Sequence, residues 1–172
     1  MIKDLLEKRI TSFNFKDTTP KDEDMYYIMD CAVRAPRISA NPDIEFLIID
    51  NLETKKRCAE KIATPNIDSA PYLIIVLYNL TLLKSEFGEE AEKYGEIDAT
   101  MASSIISLAA EEKNLSTALL YHATENLREL LSIPANYKIH AVIPIGYSNE
   151  NTVKNIKLNP ETGSVVHINT FL

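Results

Sequence analysis

The stretch of this chain best placed to do chemistry is the polar loop Arg37–Asp43, RISANPD. It carries Arg37, Ser39, Asn41 and Asp43, and it has no glycine. A helical pattern precedes it and an apolar run follows it. A polar loop held between two packed elements is a common place for a ligand site. Elsewhere the reactive side chains are scattered. His122, His140 and His167 fall at strand positions without metal-ligand spacing, and each reads as a packed or surface histidine. With only four glycines, neither a dinucleotide fingerprint nor a phosphate-cradling loop can be written. There is no GxSxG nucleophile elbow. Cys31 and Cys58 sit in helical patterns; buried free thiols of a reducing compartment are the simpler reading, and a disulfide stays open.

The elements that must position the loop follow from periodicity. Met25, Ile28, Met29, Ala32 and Val33 recur at helical spacing, one apolar stripe facing a core. Thr19 and Pro20 open that helix as cap and first turn, Asp22, Glu23 and Asp24 suit its positive end, and it runs to about Arg34. Pro36 stops it. Ile44–Ile49 is a β-branched run of strand length. A short helix is expected at Ile2–Arg9, an extended connection at Ile10–Phe15, a helix with Leu52 on its apolar side at Leu52–Ala63, and a loop at Asn66–Ala70. Tyr72–Tyr78 is nearly all apolar and reads as a central strand buried on both faces. Asn79–Ile97 is acidic, either partly helical or a mobile cover.

Asp98–Lys113 gives the clearest helical pattern, with Met101, Ile105, Leu108 and Ala109 on one face, widened by Ala102 and Ile106. Asn114 ends it. Strands are expected at Ser116–His122, Lys138–Ile145 and Ser164–Ile168, a short helix capped by Thr124 at Thr124–Leu131, and a polar loop at Asn149–Pro160. This order leaves a two-layer or three-layer mixed α/β sandwich.

Composition sets the bounds. The 172 residues suit one domain over the whole chain, able to bury about 70% of the unfolded surface. A net charge of −7 argues against nucleic acid as the main partner, since phosphate binding needs a basic face. No apolar run approaches the length of about 18 residues that a membrane span needs. The opening MIKDLLEKR is charged and is no signal peptide, so the cytoplasm is the expected location.

The order of segments resembles the nitroreductase-like flavoproteins. The residues that carry the resemblance are Arg9-Ile10-Thr11 after the first helix; Ala35-Pro36 leading through the loop to Phe46; Ala70-Pro71-Tyr72 before a buried strand; and Asp98 opening an apolar helix. Leu127–Leu131, Ile133-Pro134, Ala141–Tyr147, and Val165-Val166-His167 with Asn169 and Phe171 complete it. The resemblance implies an α+β fold with a central mixed β-sheet flanked by helices. It also implies an intertwined homodimer, with FMN at the dimer interface. Such proteins pass electrons from NAD(P)H to a second small molecule, and the flavin carries the redox chemistry. No protein acid or base is obligatory, so no catalytic side chain and no metal is expected.

The resemblance carries over unevenly. Arg9 matches a phosphate-contacting arginine and Thr11 keeps the hydroxyl; a planar guanidinium suits a phosphate monoester. The alternative for Arg9 is capping the first helix. The family's next basic residue falls at Phe13 and is lost, while Lys157 stands where a C-terminal basic contact is expected. In the loop the family's serine, asparagine and glutamine fall at Arg37, Ala40 and Pro42, with Ser39 and Asn41 one position away. Arg37 would meet the flavin edge or phosphate, or pair with Asp43 or Glu45. A Gln-Asn pair falls at Ser104-Ile105, and a small glycine pair at Tyr121-His122, where side chains would crowd the ring or stack on it. Two further readings follow: a homodimer of this fold that has lost flavin and serves as a binding or scaffold protein, or a pocket for another phosphorylated or aromatic ligand, with Tyr121 stacking on it.

Overall fold

The computed structural model of the chain describes residues 1–149 and 165–169. Five α-helices run at Ile2–Lys8 (α1), Asp22–Val33 (α2), Leu52–Lys61 (α3), Leu80–Phe87 (α4) and Ala91–Glu112 (α5). Four strands run at Ile44–Ile49 (β1), Tyr72–Asn79 (β2), Ser116–Thr117 (β3) and Tyr137–Gly146 (β4). The sheet has the order β1-β2-β4-β3, and every named pairing is antiparallel. Among the described residues one isolated parallel bridge, Thr11 to Thr117, lies at its far edge.

The register explains the two-sided core. β2 pairs with β1 from Ile44↔Tyr78 to Ile49↔Leu73, and with β4 from Tyr72↔Ile145 to Asn79↔Tyr137. Alternate β2 side chains therefore face opposite layers. Leu73, Ile75 and Leu77 pack with Cys58, Ile62, Ile67, Leu127 and Ile133 on the α3 side. Ile74, Val76 and Tyr78 pack with Met25, Ile28, Leu83, Ala99 and Ile106 on the side of α2, α4 and α5. Three layers result, with β2 buried at the centre as its continuous apolar run requires.

Local chemistry fixes the helix ends. Thr19 and Pro20 do not open α2; the helix starts at Asp22, with Lys21 at the N-cap position making no side-chain cap bond and the three acidic residues in its first turn. Asn51 caps α3 by accepting from the Thr54 N–H at 2.9 Å, and Asn79 caps α4 by accepting from Thr81 and Leu82. The acidic segment Asn79–Ile97 is helical almost throughout: α4, a 3-10 turn at Gly88–Glu90, and the opening of α5. Gly88 makes the break between them at φ +56°. Asn114 ends the long helix at φ +58°.

Several expectations are corrected. On α5 the buried residues include Asp98, Ala99, Ala102, Ser103, Ile106, Ser107, Ala109 and Ala110, while Met101 is 37% exposed. Small residues let the helix lie close to the sheet, and the serines go in with their hydroxyls satisfied: Ser103 donates to the Ala99 carbonyl and Ser107 bonds the Thr117 hydroxyl. The expected strand Ser116–His122 is formed only at β3 and a bridge at Leu120; Ala123 turns the chain at φ +53°. Thr124 does not cap a helix; its hydroxyl donates to the Ile139 carbonyl, and only a 3-10 turn forms at Thr124–Leu127. Arg128 holds the turn that follows by donating to the carbonyls of Ile133, Pro134 and Tyr137. Leu52 is exposed; Cys58 and Ala59 are buried from that helix together with Lys55, which donates to the carbonyls of Ala70 and Pro71 at 2.6 and 3.0 Å. Of the C-terminal strand expected at Ser164–Ile168, Ser164 lies outside the described residues; Val165, Val166 and Ile168 are exposed and form no strand. Most of the Asn149–Pro160 loop also lies outside them.

Candidate functional site

The loop after α2 is gripped by two carboxylates from elements distant in sequence. Asp98 of α5, buried, accepts from the backbone N–H groups of Ile38 and Ser39 at 2.7 and 3.0 Å. Glu86 of α4 accepts from the Ser39 hydroxyl at 2.8 Å, the Ala40 N–H at 3.0 Å and the Asn41 side-chain amide at 2.9 Å. The Ala40 N–H, then the Ser39 hydroxyl, hold the Glu86 carboxyl below its usual range. Ser39 and Asn41 thus spend their polar groups on Glu86. Arg37 is exposed and makes long contacts of 3.4 and 3.5 Å to the carbonyls of Val33 and Asn41, rather than pairing with Asp43 or Glu45.

A second cluster sits at the other end of α5. Arg9 follows α1, and its Nη1 donates to the Thr11 hydroxyl at 3.2 Å, half-buried. Lys8, Lys16, Glu111 and Tyr147 help line an adjoining cavity of about 310 Å³. Burial raises the Glu111 carboxyl, and Lys8 and Arg9 oppose that shift. Glu111 and Asp98 are 13 positions apart on one helix, so the two clusters lie roughly 20 Å apart within a chain.

A third group lies on the α5 flank. His140 of β4 approaches the Thr100 hydroxyl at 3.2 Å, and that hydroxyl donates to the Glu96 carbonyl at 2.7 Å. With the Thr100 hydrogen on Glu96, Nε2 of His140 is the donor to that hydroxyl, and burial lowers the pKa of the ring. Tyr121 stands edge-on to it at 5.1 Å and 69°. Ser104, one turn along from Thr100, is exposed and back-bonds the Thr100 carbonyl at 2.9 Å.

The structure thus brings Arg9 to Thr11, Ser39 to Asn41, and Tyr121 to His140. It directs His122 elsewhere: the ring is exposed and bonds the Thr64 hydroxyl at 2.9 Å, beyond α3. Lys157 lies outside the described residues. Sequence reasoning missed the parts that Asp98, Glu86 and His140 play in these clusters. Asp98 left a signal, an acid opening an apolar helix; Glu86 left none.

For FMN, Arg9 and Thr11 would be the residues to hold the phosphate, a guanidinium beside a hydroxyl being suited chemically to that group. The ring end offers less: the loop's backbone N–H groups at Ile38, Ser39 and Ala40 are taken by Asp98 and Glu86, and the side chains of Ser39 and Asn41 are bonded to Glu86, which leaves the exposed Arg37 and Tyr121.

No protein-family model matches the chain. An iodotyrosine deiodinase of Thermotoga neapolitana is 26% identical, over 99% of each chain. Among solved structures, a nitroreductase family protein from Streptococcus pneumoniae superposes with a TM-score of 0.86 over 98% of this chain and all of its own, at 16% identity. An FMN-dependent nitroreductase from Clostridium difficile does so with a TM-score of 0.79 over 97% of this chain and 98% of its own, at 25% identity. The chain is nitroreductase-like in fold along nearly its whole length, as the order of its segments implied.

Proposed function

We propose that this chain is an FMN-dependent NAD(P)H oxidoreductase of nitroreductase type, working as a homodimer. The observation that carries the reading is the Arg9–Thr11 pair, a half-buried guanidinium held beside a hydroxyl at the sheet edge, suited to a phosphate monoester. The roughly 20 Å between that pair and the loop favours a site completed by a second copy: one chain would offer Arg9 and Thr11, its partner the loop with Arg37. FMN would supply the hydride and electron chemistry between NAD(P)H and an acceptor. This chain's residues would bind and orient it, Arg9 and Thr11 at the phosphate, Arg37 and Tyr121 around the ring.

One observation favours a second reading. Glu86 occupies the loop's polar side chains, which supports a dimer of this fold that has lost flavin and acts as a binding protein. The test is the purified protein with added FMN, NADH or NADPH, and a panel of acceptors: nitroaromatics, quinones and iodotyrosine, the last because of the Thermotoga relative. Pyridine-nucleotide oxidation that needs both FMN and an acceptor supports the enzyme. A protein that takes up FMN from none of these mixtures moves the reading to the binding protein.

A further inference from the structure

Asp43 is 0% exposed, yet neither oxygen of its carboxyl has a hydrogen-bond partner among the described residues. A buried, unpaired carboxylate is costly, and the ordinary relief is to take up a proton. Its surroundings reinforce this. Asp98 on α5 and Glu86 on α4 face it with negative charge; Arg37 and the Asp43 N–H favour the ionised form. Burial is the largest cause, and the carboxyl is pushed from 3.8 up to about 6. The backbone here is fixed on both sides: the Asp43 N–H donates to Asn41 at 2.9 Å, and the Asp43 carbonyl accepts from Asn79 at 2.8 Å. Asp43 is thus the joint between loop and β1. The two carboxylates whose charge it feels are the two that hold the loop.

We propose that Asp43 is a proton-operated latch on the 37–43 loop: neutral, it lets the loop sit on Glu86 and Asp98; ionised, it repels that pair and frees Ser39 and Asn41 from Glu86. The device does not depend on flavin binding. A carboxyl whose pKa is raised in the seated state favours seating at low pH. The effect is complete below 3.8 and is lost as pH rises through about 6. If the released loop restores an ordinary aspartate, the seated-to-released ratio falls by up to about a hundredfold across that range.

The test is nuclear magnetic resonance on the labelled full chain without ligand, from about pH 4 to about pH 8. The Asp43 carboxyl carbon should titrate near 6. The amide signals of Ile38, Ser39 and Ala40 should move with the same midpoint, and their exchange, corrected for intrinsic rates, should rise by up to about a hundredfold. Asp43→Asn should abolish the transition and leave the loop seated throughout. A midpoint in the ordinary aspartate range, amides that ignore the titration, or an Asn variant with the same transition each overturns the proposal. Should that variant fail to fold, the wild-type carbon and amide titrations decide alone.

Discussion

The backbone N–H of Ile38 donates to the carboxylate of Asp98 across 2.7 Å, sixty residues apart in the chain. With the neighbouring bond from Ser39, it fastens the loop to the central helix where water is scarce. The loop's shape is therefore a property of α5 as much as of its own sequence.

Removing that acceptor should be expensive. Asp98→Ala leaves two amides without a partner, and we expect a loss of about 3 kcal/mol in urea unfolding. Asp98→Asn keeps one acceptor oxygen and should lose roughly half as much. An alanine variant as stable as the parent would mean the loop is not held this way.

Gly95 is a second test, of how closely α5 lies on the sheet. Alanine there gains about 1 kcal/mol of helix propensity. Its Cβ, however, would run into the Tyr78 ring and come within 2.7 Å of Leu83 Cδ1. Overpacking of this kind costs about 1–3 kcal/mol. Calorimetry of Gly95→Ala should show a melting temperature lower by a few degrees; a rise would place the helix further from β2 than described.

Much of the fold was legible because its signals are local. The continuous apolar run of β2, the apolar strands β1 and β4, and the stop after α2 all follow from neighbouring residues. The buried face of α5 was misjudged because counting apolar residues favours Met101 over Ser103 and Ser107. Those serines are buried at little cost, since each hydroxyl finds a partner. The site was legible in position but not in wiring. Ser39 and Asn41 were read as available to a ligand; Glu86, more than forty residues on, takes them up, and no spacing rule links the two. The same holds for Asp43, whose burial depends on what α4 and α5 bring over it.

The account rests on a phosphate at Arg9 and Thr11, and comparing FMN with riboflavin, which lacks the phosphate, tests that directly. Titrated into the purified protein and followed by quenching of flavin fluorescence, FMN should bind tighter than riboflavin by about tenfold to a hundredfold, the worth of charge-assisted hydrogen bonds. Arg9→Ala should erase most of that difference while leaving riboflavin unaffected. Equal affinity for the two flavins, or uptake of neither, would contradict it.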